Sequence, residues 1–388
     1  MTAHSQRSTR MPELREYFDR RQPEMIATIQ QLVEMESPSS DKAAVDRLGR
    51  VLAEKFKAIG GEVKFHSASQ YGDHLQVDFG GRAKAKPIML LGHHDTVWDT
   101  GTLVRMPWRN DSGRLWGPGV LDMKTGIVMM MYAISGLQEL GGALPRPVSV
   151  LLNTDEEVGS ESSRPITEAL AKKSAAVLVL EPAQGAAVKT ARKGVGDYTI
   201  KVTGRASHSG VDFEKGQSAI LELARQVLAV ARFTDVKRGM TVNPGVIRGG
   251  TRTNVVAAEA SVDVDVRIAR LADGPVLERK FRSLKPRNKH CKLEVTGGLN
   301  RPPMERSKGV IALYRQAREL AGEIGWKLDE AATGGGSDGN FTAALGLPTL
   351  DGLGGVGEGA HALNESVLID EIPRRTALLA ALIEAIAP

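Results

Sequence analysis

A single cysteine, Cys291, stands among the 388 residues, so an intrachain disulfide is excluded and nothing points to an oxidising compartment. Long uncharged apolar stretches that would suggest a membrane span are also lacking. The polar and basic N-terminal segment 1–21 contains no signal-peptide core. We therefore expect a cytoplasmic protein that has no membrane partner.

Neither sign of charge is in strong excess, because the formal net charge is only +5. The lysines and arginines are dispersed, without a basic stripe interleaved with aromatic residues, so a nucleic-acid partner is not expected. The densest basic stretch, 279–290, is typical of the solvated end of a helix and its loop. Charged residues at 25% and apolar residues at 41% are typical of a globular protein. A chain of 388 residues usually forms two domains.

What the sequence does contain is an acidic triplet, Asp155-Glu156-Glu157, soon after the apolar run 148–152. Such a run predicts a strand buried on both faces, and ligands bind at the carboxyl ends of these strands in open α/β sheets. Three crowded carboxylates repel one another, so a metal or a proton is expected nearby. Taken alone, the triplet is more simply explained as a solvated acidic loop.

A second polar cluster follows the predicted strand 88–91, where the sequence reads Gly92-His93-His94-Asp95. Residues i and i+2 of a strand point the same way, so His93 and Asp95 can share one side. This arrangement is typical of a metal-ligating imidazole whose other nitrogen is held by a carboxylate. His94 would then point elsewhere. Either histidine alone could equally be a hydrogen-bonded residue at a strand end.

Three further candidates lie at predicted strand ends or in loops. Asp122 precedes the predicted helix 126–140 and, by itself, is best explained as a helix N-cap. Glu181 follows the strand pattern 175–180, and His361 lies in a glycine-rich loop. With His93 and Glu157, these residues make two imidazoles and three carboxylates. This set suits zinc, and two metals a few ångströms apart need about this many ligands if one carboxylate bridges.

Five segments, in this order, resemble motifs of the dizinc aminoacylase/carboxypeptidase metallopeptidases. They are Gly92-His93-His94-Asp95-Thr96-Val97, Gly117-Pro118-Gly119-Val120-Leu121-Asp122-Met123-Lys124, Asp155-Glu156-Glu157-Val158-Gly159, Leu180-Glu181-Pro182 and Gly359-Ala360-His361. The resemblance extends from about Gln30 to the C-terminus. Within the family it is greatest to glutamate carboxypeptidases of the carboxypeptidase G type.

The resemblance implies two Zn²⁺ ions, with Co²⁺ or Mn²⁺ as alternatives. The implied ligands are Asp122 as the bridge, His93 and Glu181 on one metal, and Glu157 and His361 on the other. Glu156 becomes the general base, and Asp95 orients the first histidine. A cis peptide bond after the bridging aspartate, here Asp122-Met123, is also implied.

The residues agree with this chemistry on physical grounds. Two cations that share a carboxylate can lower the pKa of a water between them from about 16 toward neutrality. Glu156, next to a ligand but not itself bound, can accept the proton and pass it to a leaving amine. The reaction class is therefore hydrolysis of an amide bond.

The order of predicted elements indicates an α/β catalytic domain interrupted by an inserted domain. Helix and strand patterns alternate first, which predicts a mixed, mainly parallel sheet between helices. The elements are helices 25–35, 43–59 and 126–140, and strands 88–91 and 148–152.

Antiparallel strand patterns and two helices follow, which predict an α+β insertion. These elements are strands 197–202, 260–267 and 292–295, and helices 219–233 and 276–284. Helices 310–324 and 373–386 return to the first domain. We expect a catalytic domain of 1–192 and 301–388, and an inserted domain of 193–300.

Substrate contacts follow from the resemblance rather than from spacing. His208, in a small-residue loop of the insertion, corresponds to the histidine that polarises the scissile carbonyl, often across a dimer interface. The implied substrate-binding residues are Asn254, Arg267, Arg301 and the loop residues Gly335, Gly336 and Ser337. Arginine and backbone amides suit a carboxylate. For each arginine, a surface or interdomain ion pair is the alternative.

We therefore expect a homodimeric hydrolase, joined through the inserted domain, that acts on a small peptide or an N-acyl amino acid. It releases a C-terminal amino acid, and the resemblance favours glutamate. An aminoacylase or deacetylase, or a dipeptidase, on the same scaffold is the alternative. A non-catalytic, metal-dependent peptide-binding module is the alternative from another class. Glu156 distinguishes an enzyme from such a binding module, because a binding module has no use for an unligated acid beside the metals.

Overall fold

The structure, a computed structural model, describes residues 10–386, so residues 1–9 of the polar N-terminal segment lie outside the described part. The chain forms two compact units. The first consists of the residues up to Ala191, 306–333 and those from 337 onward, and the second of 192–305 and 334–336. The segment expected as an insertion, 193–300, therefore lies within the second unit, which also takes in three glycines of the later loop.

Helices and strands occupy most of the described chain. The helices are α1 (Met11–Val33), α2 (Lys42–Ala58), α3 (Thr102–Arg105), α4 (Thr125–Gly141), α5 (Arg164–Lys173), α6 (Ala219–Ala231), α7 (Gly274–Arg282), α8 (Lys308–Gly322), α9 (Gly339–Ala344) and α10 (Glu371–Ala385). The strands are β1 (Glu62–His66), β2 (His74–Phe79), β3 (Ile88–His93), β4 (Arg109–Asp111), β5 (Arg114–Trp116), β6 (Val148–Asn153), β7 (Ala176–Val179), β8 (Val188–Arg192), β9 (Gly194–Thr203), β10 (Thr241–Gly249), β11 (Glu259–Ile268), β12 (Lys292–Arg301), β13 (Glu330–Thr333), β14 (Thr349–Leu350), β15 (Gly357–Glu358) and β16 (Ser366–Leu368).

The first unit is built on a six-stranded sheet with the order β1-β2-β6-β3-β7-β14. Strand β3 runs parallel to both β6 and β7, whereas β1 and β2 extend the sheet in antiparallel fashion. Ile88 and Leu90 face a large core shared with α1, α4 and α10, and Met89 and Leu91 face a smaller core that includes α5 residue Ala171. Both faces are therefore covered, as the continuous apolar runs predict.

Helix α4 lies within the larger core. The segment Val120–Gly141 is long and apolar enough to cross a membrane by length and composition alone. However, 83% of its most apolar 18-residue stretch is buried inside the unit. Helices that are apolar on nearly all sides are typical of the centre of a large core. This segment contains the charged residues Asp122, Lys124 and Glu139, and its burial is that of a core helix.

Helix α1 begins earlier than the pattern 25–35 predicts. Met11, Leu14 and Phe18 are fully buried in the large core, so the helix extends across Pro23 to reach them. Proline in a helix interior removes a hydrogen bond and disfavours the helix locally. Burial of these apolar side chains offsets that cost, which the local sequence alone does not reveal.

The second unit is an antiparallel four-stranded sheet with the order β10-β11-β9-β12. Buried residues of α6 and α7, including Leu223 and Leu277, pack on one face of the sheet. The strict alternation of β11 continues through ten residues, with every second side chain buried. The α+β architecture thus agrees with the sequence. Strand β10 escaped prediction because Pro244 lies at an irregularity in its pairing and most of the strand is exposed.

Candidate metal centre

The centre lies where three neighbouring parallel strands end. Strand β3 ends at His93, which is paired with Asn153 at the end of β6. On the other side, Leu91 pairs with Val179, two residues before Glu181. Parallel strands present their carboxyl ends at one edge of the sheet, and polar side chains from β3, β6 and β7 therefore converge there.

The five predicted ligand residues form two groups that share Asp122: His93, Asp122 and Glu181, and Asp122, Glu157 and His361. Within each group, the donor atoms lie within 4.8 Å of one another. Oδ1 of Asp122 is 3.2 Å from Nε2 of His93, whereas its Oδ2 is 3.5 Å from Nε2 of His361. One carboxylate thus faces both groups with different oxygens, which is the arrangement of a bridging ligand.

Asp95 orients both the first histidine and the acidic loop. Nδ1 of His93 lies 3.0 Å from the backbone oxygen of Asp95 and 3.4 Å from its carboxylate, so Nε2 is left facing the ligand groups. The same carboxylate accepts hydrogen bonds from Ser39 Oγ at 2.7 Å and from the backbone amides of Glu156 and Glu157 at 3.4 and 3.3 Å. Asp95 therefore fixes two parts of the centre at once.

His94 is directed away from both groups. Its side chain is fully buried, and neither ring nitrogen has a hydrogen-bond partner among the described residues. Burial lowers the pKa of His94 to about 4, so the ring is neutral at physiological pH. The sequence assigned His93 rather than His94 to the site, and the structure places Nε2 of His93 beside Asp122 and Glu181.

The donor set fits a pair of divalent cations. The hydrogen bonds of His361 to Asp122 and Glu157 raise its pKa to about 10. Burial opposes protonation of His93, but its bonds to carboxylates still raise its pKa well above the usual value. Burial raises the pKa of Glu157, whose Oε1 is buried without a hydrogen-bond partner in the described chain. Imidazole nitrogens and carboxylate oxygens around one space are ligands that suit zinc.

Metal binding is expected to release protons and to weaken as the pH falls. In the metal-free protein, His93 and His361 hold protons at neutral pH, and a cation must displace them. Calorimetric titration with Zn²⁺ at pH 6.5, 7.5 and 8.5, in buffers of different ionisation enthalpy, should show about two protons released and affinity rising with pH. Binding that is independent of pH and of buffer would contradict this expectation.

The first acid of the triplet holds its loop in shape. Oδ2 of Asp155 accepts hydrogen bonds from the amide and hydroxyl of Ser162 at 2.8 and 2.7 Å and from the amide of Ser163 at 3.3 Å. The backbone oxygen of Asp155 accepts from the amide of Ser160 at 2.7 Å. The sequence assigned no role to this acid. Its contacts show that it closes the turn that presents Glu156 and Glu157.

Glu365 is a buried residue beside the ligand groups that the sequence did not single out. Its buried carboxylate accepts hydrogen bonds from the amides of Gly119, Leu121 and Asp122 at 3.0, 2.9 and 3.0 Å, and from Nε1 of Trp98 at 2.7 Å. Burial raises its pKa to about 7. Glu365 therefore holds the backbone turn that carries the shared aspartate, whose following peptide bond, Asp122-Met123, is cis as expected.

Replacement of Glu365 by alanine is expected to weaken metal binding by about 10- to 100-fold, as is typical when residues that orient metal ligands are removed. Glu365→Gln retains one carbonyl acceptor, so its metal affinity should lie between those of the unsubstituted protein and of Glu365→Ala. Competition with a chromophoric chelator measures the affinity. Glu358→Ala is the control, because the side chain of this glutamate in the same segment is exposed and, among residues 10–386, forms an ion pair with Arg114 alone, at 3.4 Å. A folded Glu365→Ala protein with unchanged affinity would refute the role.

His208 and Asn254 lie on adjacent segments of the second unit. His208 forms an isolated β-bridge with Val255, and the amide of Ser209 donates to the backbone oxygen of Asn254 at 3.0 Å. The amide of Gly210 donates to Nδ1 of His208 at 3.1 Å. A neutral ring that accepts at Nδ1 carries its proton on Nε2. His208 therefore presents a hydrogen-bond donor to the solvent.

Arginines surround the glycines 334–336 in the second unit. Arg192, which the sequence did not single out, donates from Nη1 to the backbone oxygens of Gly335 and Gly336 at 3.3 and 2.8 Å. A side chain at Gly336 would collide with Arg301, because its Cβ would lie 2.8 Å from that residue's Cδ.

Two other predicted substrate residues are occupied by bonds within their own units. Arg267 pairs with Asp265 through Nε and Nη2 and reaches the oxygen of Gly334 at 3.4 Å. Ser337 belongs to the first unit, where its hydroxyl donates to buried Asp351 at 2.6 Å. Their substrate roles stay predictions.

The layered α/β unit and the two ligand groups at its sheet edge define the class of the protein as a metal-dependent hydrolase. The chain belongs to peptidase family M20/M25/M40, whose sequence profile matches residues 89–385. It is thus a hydrolase of the M20 metallopeptidase family, which acts on peptide-type substrates.

The alignments with individual relatives cover between 76% and 94% of the chain. Carboxypeptidase G2 of Pseudomonas sp. (strain RS-16) is 32% identical over 372 residues, which are 93% of this chain and 89% of that protein. A succinyl-diaminopimelate desuccinylase of Paracidovorax citrulli is 28% identical over 319 residues, 76% of this chain and 79% of that protein. The solved structure of aminopeptidase PepT from Bacillus cereus has the same fold, with a TM-score of 0.75 at 23% identity, covering 94% of this chain and 98% of that one.

Proposed function

We propose that the protein is a dizinc carboxypeptidase that releases a C-terminal amino acid, with glutamate as the preferred leaving residue. The observation that carries the proposal is the shared carboxylate of Asp122 between two ligand groups, beside the acidic loop that bears Glu156. The 32% identity to carboxypeptidase G2 over 93% of the chain supports the carboxypeptidase assignment. Recognition of the substrate carboxylate by an arginine near the glycine-rich loop is part of the proposal, because a guanidinium can hold a carboxylate through two hydrogen bonds.

The residues divide the hydrolytic task among them. Two bound cations supply Lewis acidity, which makes water nucleophilic near neutral pH. Glu156 accepts the proton of the attacking water and delivers it to the nitrogen of the leaving amino acid. The Nε2–H group of His208 donates a hydrogen bond to the substrate carbonyl oxygen as negative charge develops on that oxygen. Asp95 keeps Nε2 of His93 directed at the ligand groups.

The experiment is a substrate panel assayed with the zinc-loaded and the chelated protein. N-acyl-glutamates, the same acyl group on other amino acids, N-acetyl amino acids and dipeptides should be compared by kcat/KM. We expect chelator-sensitive hydrolysis with the highest kcat/KM for N-acyl-glutamates. Absence of chelator-sensitive hydrolysis of every amide would refute the proposal.

A deacylase of N-acyl amino acids is the second candidate. The relative from Paracidovorax citrulli, named as a desuccinylase, supports it at 28% identity over 76% of the chain. Both reactions cleave an amide next to a carboxylate-bearing amino acid, so the metal groups serve either. In the panel, a preference set by the acyl group rather than by glutamate would favour this candidate.

A homodimer formed through the second unit is part of the proposal. Leu221 and Leu228 of α6 are 59% and 66% exposed, and Val246 and Ile247 of the edge strand β10 are 46% and 60% exposed. Apolar side chains next to an unpaired strand edge are typical of a protein interface. A second copy of the chain is the occupant that the family resemblance favours.

Substitution of both α6 leucines by glutamate is expected to give a protein with the mass of one chain, whereas the unsubstituted protein should have the mass of two. Light scattering coupled to size exclusion measures this. Val104→Glu is the control, because Val104 is 87% exposed on α3 in the first unit. An unsubstituted protein with the mass of one chain at micromolar concentration would contradict the dimer.

A further inference from the structure

Arg375 is a buried cation that forms no ion pair with any carboxylate of residues 10–386. It lies on α10, is 1% exposed, and is among the largest fully buried side chains of the protein. It forms no ion pair within the described chain, since the nearby Glu371 pairs with Arg374 instead. Burial lowers the pKa of Arg375 to about 10, so the guanidinium still carries its charge at neutral pH.

Backbone carbonyl groups satisfy this guanidinium. Nε donates to the oxygen of Gly354 at 2.6 Å, Nη1 donates to that of Ala186 at 3.1 Å, and Nη2 donates to that of Gly352. Taking a charge out of water is costly, and an apolar side chain would fill the same space without that cost. The rigid fork of arginine is suited to holding several acceptors in fixed positions. These carbonyl groups are therefore the features that require an arginine here.

The loop that Arg375 holds lies against the segment carrying a predicted metal ligand. The amide of Leu353 donates to the oxygen of Val179 at 3.1 Å, and the amide of Gly354 donates to the oxygen of Glu181 at 2.9 Å. Contact is so close that a Cβ on Gly354 would lie 2.1 Å from the oxygen of Leu180. The loop thus clamps the backbone of Glu181, whose Oε1 lies 3.5 Å from Nε2 of His93.

The other ligand group has supports of its own, in addition to the loop held by Arg375, which runs on into β15. Strand β15, just before His361, pairs with β16. The amide of Ala362 donates to the oxygen of Gly359 at 2.8 Å, which closes the turn that presents the histidine. The loss of Arg375 should therefore act mainly on the group that contains Glu181.

We propose that Arg375 is a positioning residue for the metal centre: it fixes the carbonyl groups of Gly352 and Gly354, and the loop in turn fixes the backbone of Glu181. The inference rests on the metal site of the proposed function. It adds a buried residue of the last helix that touches no ligand and yet sets the geometry of one of the two ligand groups.

Zinc titration of the metal-free protein by chelator competition tests this role. Arg375→Met removes the donors and retains an unbranched apolar side chain, whereas Arg375→Lys retains the charge but loses the fork. Arg374→Met is the matched control, because Arg374 is the neighbouring residue and forms an ion pair with Glu371. Both arginines also lie over the ring of Trp326, with Cζ 4.6 Å from the ring centroid for Arg374 and 5.8 Å for Arg375. Thermal unfolding of each metal-free protein reports the fold.

We expect two zinc-binding steps in the unsubstituted protein and in Arg374→Met. In Arg375→Met, one step should weaken by about 10- to 100-fold and the other should change little. The weakened step should be the one that Glu181→Gln also weakens, and Arg375→Lys should recover part of the loss. If Arg375→Met does not fold, the same comparison is made with Arg375→Lys alone, which should weaken the same step.

A folded Arg375 variant with both steps unchanged would overturn the role. Equal weakening of both steps, in parallel with a lower unfolding temperature, would also overturn it and show a purely structural residue. An unsubstituted protein that binds no zinc would overturn the metal site itself and this role with it. Failure of the metal site can be distinguished from failure of the Arg375 role, because only failure of the metal site appears in the unsubstituted protein.

Discussion

Glu156→Gln is expected to lower kcat by about 10²- to 10⁴-fold, the usual contribution of a general base, while two metals stay bound. The side chain of Glu156 belongs to neither ligand group. Its backbone amide bonds to Asp95 at 3.4 Å, a contact that the substitution retains. The amide side chain cannot accept the proton of water, so the chemical step should fail although the centre is intact. Steady-state kinetics and elemental analysis of the same sample measure both quantities.

Two neighbouring substitutions are the controls. Glu157→Gln should lower metal content, because Oε2 of Glu157 lies 3.1 Å from Nε2 of His361 in the second ligand group. Asp155→Asn should lower the unfolding temperature instead, because its carboxylate accepts bonds from Ser162 and Ser163. Substitution of the three adjacent acids should therefore have three different effects: lower turnover for Glu156, lower metal content for Glu157 and lower stability for Asp155. A Glu156→Gln protein that retains both metals and full turnover would refute the general-base assignment.

The sequence predicted the central strands well because each is a short apolar run between polar residues. The runs at 88–91 and 148–152 are strands β3 and β6, with all residues buried. Both faces of these strands are covered, so burial required apolar residues at every position. Their carboxyl ends then placed His93 and the acidic triplet at one edge of the sheet, which is why the candidate site could be predicted from strand ends.

The supports of the site could not be predicted in the same way. Glu365 bonds to the amide of Asp122 although 243 positions separate the two residues, and Arg375 bonds to the oxygen of Ala186 across 189 positions. Neither belongs to a motif, and the helix pattern 373–386 that contains Arg375 does not reveal what its side chain bonds to. Both residues act on backbone groups, which every residue carries. Such contacts depend on the packing of the whole unit. The folded structure is therefore needed to show that Glu365 and Arg375 bond to these backbone groups.

Asp122→Ala is expected to abolish both metal sites and to lower kcat/KM by about 10³-fold or more, since bound metals typically supply several kcal/mol of transition-state stabilisation. One carboxylate faces both groups, with Oδ1 3.2 Å from His93 and Oδ2 3.5 Å from His361. Its removal should therefore eliminate two metals, whereas Glu181→Ala should eliminate only one. Elemental analysis after dialysis against zinc gives the stoichiometry.

The turn that carries Asp122 should survive this substitution, because Glu365 bonds to the backbone amide rather than to the carboxylate. The variant should consequently unfold at a temperature close to that of the metal-free parent. Asp111→Ala is the control, since Asp111 is exposed on β4 and its carboxylate bonds to Ser112. If Asp122→Ala loses only one metal, the carboxylate does not bridge, and the two groups are independent sites rather than one dinuclear centre.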